Sequence, residues 1–399
     1  MLAFVLSPLY LFGTWLLAFM INRWVKACIG DRHRTWVKRV VHIIFAVAAL
    51  IMPIGFLLPK SFIKYKFQHY GNIWLGILAY SLIPAIIYII FCIIWRINKH
   101  IKGSTESMER PRKIAISVAS VSIVFVIIVC GYGMFHATET QITNYTLEIK
   151  KGEGKLEEIN AVLVADMHMG VNIGSKEMKR MAELINRCEP DIVFIAGDIF
   201  DNDYDALDDP EKLIEIYRSI ETKYGIYACY GNHDVDEEIL AGFTFNYSDK
   251  KISDPRMDEF LNKAGIKLLM DEGVLIDDSF YVYGRPDYAK PGRGIDVRKT
   301  PEELMGSLTG NYPVVVLDHE PRELPELAKA GVDVDLCGHT HDGQIFPANI
   351  LLGLLYDNSY GYKKFGNMDN IVTSGVGLFG PFMRVGTDSE ICCIKIRFN

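Results

Sequence analysis

The sequence predicts an α/β protein, a four-layer α/β/β/α sandwich preceded by an all-α region of four membrane-spanning helices. Two observations lead to this fold class. Four long apolar stretches occupy the first third of the 399 residues, and after them short apolar runs alternate with amphipathic segments. Such alternation is typical of parallel sheets covered by helices. We therefore expect a transmembrane domain over residues 1–135, a linker over 136–154 and a globular domain over 155–399.

The four apolar stretches are each long enough for a transmembrane helix, which needs roughly 20 residues. The predicted spans are Leu2–Ile21, Val40–Leu58, Ile73–Trp95 and Ile114–Phe135. The first stretch lacks a basic start and a clear cleavage site, so we interpret it as a retained span and not as a signal peptide. The sequence therefore predicts an integral, multi-pass protein of the cell membrane.

Charge is distributed unevenly along the chain, whose net charge is −7. Residues 1–135 carry 15 lysines and arginines but only 3 acidic residues, so the globular part is strongly acidic. This disfavours a nucleic-acid partner, because proteins that bind the phosphate backbone need a positive surface. The basic residues concentrate in the first and third connectors, which are therefore expected in the cytoplasm. The globular domain is then expected to be extracytoplasmic.

Five apolar runs of the globular part are predicted to be buried strands, and polar residues follow each of them. The runs are Ile159–Ala165, Ile192–Ala196, Ile226–Tyr230, Val314–Leu317 and Val332–Cys337. The polar residues that follow are Asp166, His168, Asp198, Asp201, Asn232, His233, His319, His339 and His341. Open α/β sheets place their sites at the carboxyl ends of strands. Carboxylate, amide and imidazole groups suit manganese, iron or zinc, so the set predicts a binuclear metal site.

Three shorter apolar runs and the cysteines complete the expectations for this part of the chain. Lys267–Met270, Val274–Ile276 and Phe280–Tyr283 are predicted to be antiparallel strands. The eight cysteines lack Cys-x-x-Cys spacing, and we interpret them as inert, mostly buried thiols. A disulfide stays open as an alternative if the domain lies outside the cell.

The ordered motifs resemble those of the calcineurin-like metallophosphoesterases. They are Asp-x-His, Gly-Asp-x-x-Asp, Gly-Asn-His-Asp, a single His and Gly-His-x-His, and the resemblance covers about residues 155–399. Together with the apolar stretches, they resemble the transmembrane, multi-pass subgroup of that family. Asp342 departs from the subgroup, which usually has a second glycine there, and could alter the rim of the site.

The resemblance implies two divalent metal ions (manganese, iron or zinc) and a role for each motif residue. Asp166, His168 and His341 would bind the first metal, Asn232, His319 and His339 would bind the second, and Asp198 would bridge both. A shared carboxylate brings two metals to roughly 3.5–4 Å, where they can activate water and hold phosphoryl oxygens. His233 would be the general acid, and Asp201 would hold its imidazole in the required tautomer.

Substrate contacts are less clearly marked in the sequence. Arg285, Arg293 and Arg384 could bind phosphate, because arginine suits bidentate recognition, although each could equally be a solvated side chain. Apolar residues at Phe346 and Ile350–Leu355 could form a lip for acyl chains in a membrane-tethered domain, or could simply pack in the core.

These observations predict a membrane-anchored phosphohydrolase that cleaves phosphodiester or pyrophosphate bonds of a lipid-linked or membrane-proximal substrate. The subgroup resembles UDP-2,3-diacylglucosamine pyrophosphohydrolases, but that substrate is generally handled on the cytoplasmic side, which conflicts with the predicted topology. Two alternatives stay open. One is a broad cell-surface phosphodiesterase for soluble nucleotides, and the other is a non-catalytic membrane scaffold or sensor that keeps the fold. The metal identity and the oligomeric state also stay open.

Overall fold

The computed structural model describes residues 2–29, 34–102, 109–150, 152–237, 239–240, 243–244, 252–292 and 294–399. Its helices are α1 Leu2–Ile29, α2 Arg34–Leu57, α3 Phe62–Lys102, α4 Glu109–His136, α5 Ser175–Arg187, α6 Pro210–Arg218, α7 Pro255–Ala264, α8 Pro301–Gly306, α9 Leu324–Ala330 and α10 Ala348–Leu355. Its strands are β1 Thr140–Ile149, β2 Glu158–Val164, β3 Ile192–Ala196, β4 Ile226–Cys229, β5 Ile239–Leu240, β6 Phe243–Thr244, β7 Ile266–Leu268, β8 Glu272–Ile276, β9 Phe280–Gly284, β10 Val314–Leu317, β11 Val334–Cys337, β12 Gly361–Phe365, β13 Met368–Val372 and β14 Ser389–Phe398. The chain divides into two compact units, one built on α1–α4 and one that holds the two large sheets.

The helical unit contains the predicted membrane spans. Among the described residues, three segments are long and apolar enough to cross a membrane, namely Thr35–Leu57, Phe62–Asn98 and Ile116–His136. They contain most of the second, third and fourth predicted spans, and they mark the chain as a membrane protein. The first predicted span lies within the helix α1, and its crossing of the membrane stays a prediction. Helix α3 begins well before Ile73, so most of the expected middle connector is helical.

The second unit contains two six-stranded sheets that share one hydrophobic core. The first sheet has the order β1-β14-β2-β3-β4-β7, and only its β14–β2 pair is antiparallel. The second has the order β12-β13-β11-β10-β9-β8, with antiparallel pairs at its two edges. Leu163 and Phe194 of the first sheet lie in the same buried cluster as Val315 and Leu336 of the second. The predicted α/β fold with two packed sheets is therefore confirmed.

Two elements differ from the expectation in ways that follow from chain topology. Thr140–Ile149, within the expected linker, forms β1, which pairs in parallel with β14 near the other end of the sequence. Strand β7 overlaps Lys267–Met270 but runs parallel to β4, so its predicted antiparallel direction is wrong. The helix α7 connects these two strands, and a helical crossover returns the chain to the same end of the sheet. The predicted antiparallel pairing of β8 with β9 is present.

Several helices of this unit begin with a capping residue followed by proline. The side chains of Asp209, Asp254 and Thr300 accept hydrogen bonds from backbone N–H groups in the first turns of α6, α7 and α8. Each of these residues precedes the proline that opens its helix. Such caps satisfy donors that the helix leaves unpaired, and proline fits its first turn without loss. The starts of these helices are thus determined locally.

Cys188, directly after α5, and Cys393 on β14 form a disulfide, with a Cα–Cα distance of 6.2 Å. The expectation of free thiols is wrong for this pair, because the fold brings together residues that lie 205 positions apart. The other cysteines of this unit, Cys229, Cys337 and Cys392, are free and buried, as expected.

Candidate metal centre

Loops from both sheets meet at one edge of the second unit. Those after β2, β3 and β4 carry Asp166 to His233, and those after β10 and β11 carry His319 to His341. These strands are parallel neighbours within their sheets, so their carboxyl ends lie side by side. Among the described residues, three groups of side chains have potential ligand atoms within 4.8 Å of one another. The first is Asp166, His168 and His341, the second is Asp198, His319 and His339, and the third, His168, Asp201 and His233, shares His168 with the first.

The first group is buried, and the imidazole nitrogens of its two histidines face each other. His168 Nε2 lies 3.0 Å from His341 Nε2, and the latter lies 3.9 Å from Asp166 Oδ1. Both oxygens of Asp166 also accept from the backbone N–H of His339, at 3.0 Å each. A cation bound here would engage both imidazole lone pairs, so the donor set fits a divalent metal.

The second group gathers nitrogen and oxygen atoms around Asn232. Asn232 Oδ1 lies 3.1 Å from His319 Nε2 and 2.9 Å from His339 Nδ1. The two ring nitrogens are 3.3 Å apart. An amide oxygen and two imidazoles form a mixed donor set that suits a first-row divalent metal. The structure therefore brings together the residues that the sequence assigned to a second metal.

Asp198 belongs to the second group and also faces the first group. Its Oδ2 lies 3.1 Å from His319 Nε2 and 3.6 Å from His168 Nε2. Its Oδ1 accepts a hydrogen bond of 2.7 Å from the backbone N–H of His233. One oxygen is therefore fixed by the backbone, and the other faces a histidine from each group. This position is compatible with the bridging role expected for Asp198, which stays a prediction.

Backbone conformation at this centre is unusual. Asp166, His168, Asp198, His339 and His341 all have positive φ angles, between 47° and 74°. Residues other than glycine rarely adopt this region, and such strain concentrates at functional sites. Asp342 also has a positive φ, of 48°, a conformation that glycine adopts more readily than other residues.

Two glycines permit the close approach of backbone to these side chains. A Cβ atom on Gly231 would lie 2.3 Å from Asp198 Oδ1, and one on Gly197 would lie 2.6 Å from His319 Nδ1. Gly197 in addition has a φ of 81°. Both positions exclude any larger residue unless a ligand moves.

Burial and neighbouring charge act against each other on the central ionisable groups. Burial disfavours the charged form of Asp198, but His319 and His233 outweigh it and hold the pKa of Asp198 well below its usual value. Burial likewise disfavours the imidazolium of His319, but Asp198 outweighs it and raises the pKa of His319. At His233 burial prevails over the carboxylates and lowers the pKa to about 4. The neighbouring imidazoles therefore favour the carboxylate form of Asp198.

The side chain beside His233 is one that the sequence did not single out. His233 Nδ1 forms a hydrogen bond with Asn202 Oδ1. Asn202 Nδ2 donates to the carbonyl of Val235 at 2.8 Å, which fixes the amide with its oxygen toward His233. Asp201 Oδ1 lies 3.6 Å from His233 Nδ1 and 3.5 Å from His168 Nδ1, beyond hydrogen-bond distance of both. The only sequence signal for Asn202 was its place directly after Asp201.

Two of the arginines expected at the substrate lie inside the protein. Arg285 has no exposed surface and pairs with Asp318 at 2.9 Å and Glu323 at 2.8 Å. Arg384 is equally buried and donates to the carbonyl oxygens of Ser374, Gly377 and Asp388. Fully buried guanidinium groups committed to such partners do not line a substrate cleft, and both positions differ from the expectation for that reason. Arg293 lies outside the described residues.

Arg322 and Tyr356, which the sequence did not indicate, lie beside the second group. The hydroxyl of Tyr356 is 3.1 Å from His339 Nε2. The guanidinium of Arg322 stacks over the Tyr356 ring, 4.6 Å from its centre, and the Arg322 side chain is 42% exposed. Arg322 also pairs with Glu320 at 3.3 Å, so its partly exposed guanidinium lies close to a candidate metal ligand but already has a carboxylate partner. The signal was the sequence His319-Glu-Pro-Arg322, on the same loop as a candidate ligand.

Comparison with known proteins agrees with this fold. Residues 159–343 match the family model described as calcineurin-like phosphoesterase. The second unit therefore carries a calcineurin-like phosphoesterase domain, preceded in this chain by helices long and apolar enough to span a membrane.

Relatives of this chain are found in animals and in bacteria. The chain is 24% identical over 344 residues to the transmembrane protein with metallophosphoesterase domain of Danio rerio, covering 81% of this chain and 74% of that protein. It is 23% identical over 362 residues to an uncharacterized metallophosphoesterase of Campylobacter jejuni, covering 88% and 90%. It is 21% identical over 238 residues to a UDP-2,3-diacylglucosamine pyrophosphatase of Chlamydia trachomatis, covering 51% and 70%.

Proposed function

We propose that this protein is a membrane-anchored phosphohydrolase with two divalent metal ions, which cleaves a phosphodiester or pyrophosphate bond. The observation that carries the proposal is the position of Asp198, whose Oδ2 faces a histidine of each ligand group. Manganese, iron or zinc ions held by these residues would supply Lewis-acid stabilisation of the phosphoryl oxygens and an activated water.

The remaining residues of the centre would handle charge and protons. In the proposal His233 donates a proton to the leaving oxygen, because an anionic phosphoryl group nearby favours its imidazolium form. The hydrogen bond to Asn202 Oδ1 keeps a proton on Nδ1 of His233 and orients the ring. Arg322 takes the role of phosphate contact that the buried Arg285 and Arg384 are not placed to fill.

A lipid-linked or membrane-proximal compound is the substrate class that we favour. The membrane helices keep the catalytic domain at the bilayer surface, where such a substrate is concentrated. The Chlamydia trachomatis relative, by its name, is a pyrophosphatase of a diacylated nucleotide sugar, which offers limited support at 21% identity. A soluble nucleotide remains the competing substrate in the test below.

We place the catalytic domain on the outer face of the cell membrane. The basic residues of the predicted first and third connectors favour the cytoplasm. The Cys188–Cys393 disulfide supports the same placement independently, because such bonds persist in oxidising compartments.

Hydrolysis by the full-length protein in detergent with Mn²⁺ tests the proposed function. The substrates are a chromogenic phosphodiester, a chromogenic phosphomonoester, a soluble nucleotide pyrophosphate and a diacylated nucleotide-sugar pyrophosphate. We expect diester or pyrophosphate cleavage that falls about 10²–10⁴-fold in His233→Ala and is lost in Asp198→Asn. Activity that both variants retain, or no activity on any substrate when metal is bound, would overturn the proposal.

A further inference from the structure

The helix α10 exposes an apolar surface in the phosphoesterase domain. No residue of α10, all of which are described, is buried. Its large side chains Ile350, Leu351, Leu354 and Leu355 are 59%, 58%, 79% and 63% exposed. Ile350 and Leu354 are four positions apart, and so are Leu351 and Leu355, so the four side chains lie along one side of the helix. A soluble domain normally packs such a stripe against its core, and an exposed apolar patch marks an interaction surface.

The residues around this stripe have the composition of a membrane interface. Phe346, which precedes α10, is 49% exposed, and Tyr360 and Tyr362, which follow it, are 40% and 48% exposed. Lys363 and Lys364 continue the exposed strand β12. Aliphatic side chains flanked by tyrosine and lysine are typical of elements that lie at the boundary between acyl chains and headgroups. A protein partner would not require this order of residue types.

The tether of the domain makes a lipid surface the available occupant. The candidate span Ile116–His136 ends just before β1 begins at Thr140. A domain attached through so short a connection meets the bilayer surface at a high effective concentration. A weak apolar patch is then enough for the domain to bind the bilayer. The tether already restricts the translational freedom that a free domain would lose on binding.

We infer that the aliphatic side of α10 inserts into the interfacial region of the lipid bilayer. Tyr356 directly follows α10, and its hydroxyl lies 3.1 Å from His339 Nε2. Lipid contact at α10 therefore holds the His339 side of the metal centre near the lipid headgroups. The contact itself does not depend on catalysis, but its consequence for substrate delivery rests on the proposed function.

A spin label on Leu354→Cys tests the contact without any enzyme assay. The full-length protein, with the accessible Cys28 and Cys92 replaced by serine, is placed in nanodiscs of phosphatidylcholine and phosphatidylglycerol. We expect the label to be relaxed by oxygen at least several-fold more effectively than by a water-soluble nickel chelate. The matched control is Val297→Cys, 83% exposed on the same domain, where the nickel chelate should be the more effective. A label at 354 that resembles the control, or one shielded from both reagents, would overturn the inference.

A second experiment links the contact to substrate delivery. The double variant Leu351→Asp/Leu354→Asp alters only exposed side chains, so the fold should persist, with a melting temperature near that of the parent. We expect kcat/KM on a bilayer-embedded substrate to fall at least 10-fold while hydrolysis of a soluble chromogenic diester is unchanged. Equal activity on both substrates would overturn the delivery role. Failure of the parent protein to hydrolyse either would count against the proposed function and leave the spin-label result to decide the contact.

Discussion

The carbonyl oxygen of Ala196 lies 2.9 Å from Nδ1 of His319 in the core of the phosphoesterase domain. A carbonyl can only accept a hydrogen bond, so this contact keeps a proton on Nδ1. In the neutral ring that a metal would bind, the free lone pair would then be on Nε2, the atom that faces Asp198 and Asn232. The last residue of β3 therefore sets the tautomer of a candidate ligand that the other sheet supplies.

Gly197, the next residue, should be intolerant of even a single methyl group. In Gly197→Ala the new Cβ would lie 2.6 Å from His319 Nδ1, on a backbone with φ of 81°. We expect displacement of His319, loss of one metal per chain and an activity loss of about 100-fold or more. Elemental analysis and the diester assay measure both effects. Gly306→Ala is the control, since no atom lies within 4 Å of its added Cβ, and it should keep full metal content. Full metal content in Gly197→Ala would contradict the prediction.

Arg384 should act by positioning His341 and the loop beneath it. The guanidinium donates to the carbonyl oxygen of His341 at 3.2 Å and to that of Ser374 at 2.6 Å. Burial lowers the pKa of Arg384 to about 10, so the group remains a cation at neutral pH. A lysine ammonium cannot reproduce the several hydrogen bonds of the planar guanidinium. Arg384→Lys should therefore lower the free energy of unfolding by about 2–4 kcal/mol and weaken metal binding.

Thermal unfolding and metal titration of Arg384→Lys check this role. The exposed Arg397→Lys serves as the control and should change neither quantity. If Arg384→Lys instead kept its stability and metal affinity but lost substrate affinity, the original expectation of a phosphate contact would be restored.

Arg322 should contribute to substrate binding without affecting the metals. Removal of an accessible guanidinium beside the centre should lower kcat/KM of Arg322→Ala by about 10–100-fold, chiefly through KM. Arg397→Ala is the matched control, because Arg397 is similarly exposed and also pairs with a glutamate, but its partner Glu158 lies at the start of β2, the end of the strand opposite Asp166. Steady-state kinetics and elemental analysis of both variants measure kcat, KM and metal content. A loss of metal in Arg322→Ala, or unchanged kinetics, would refute this role.

The disulfide between Cys188 and Cys393 should be present in protein isolated from membranes. Mass spectrometry of peptides from unreduced protein would detect it directly. Because the bond closes a loop of about 200 residues, Cys393→Ser should lower the free energy of unfolding of the domain by about 2–4 kcal/mol. Free thiols at both positions in native protein would contradict this prediction and weaken the proposed extracytoplasmic placement.

The strand ends that build the centre could be predicted because their signals are local. Ile192–Ala196 is an unbroken apolar run, all of it buried, and a Gly-Asp turn follows it directly. Similar runs precede His319 and His339, so the convergence of ligands follows from the parallel arrangement of the strands. Both the ligand groups and the two sheets were therefore predictable.

The partners of individual side chains were not predictable because distant segments supply them. Asn202 faces His233 only because the carbonyl of Val235 holds its amide nitrogen. Arg384 is buried because the carbonyl oxygens of Ser374 and Gly377 point at it, which no periodicity in the sequence reveals. Strand β1 likewise depends on pairing with β14, and its mixed polar sequence gives only a weak strand signal on its own.

The number of metal ions bound per chain is the most direct test of the central claim that Asp198 joins two metal sites. Elemental analysis would compare purified full-length protein with Asp198→Asn and His233→Ala after incubation with Mn²⁺ and removal of free metal. We expect two ions in the parent and in His233→Ala, whose activity should be strongly reduced, and no more than one in Asp198→Asn. Two tightly bound ions in Asp198→Asn, or fewer than two in the parent protein, would contradict it.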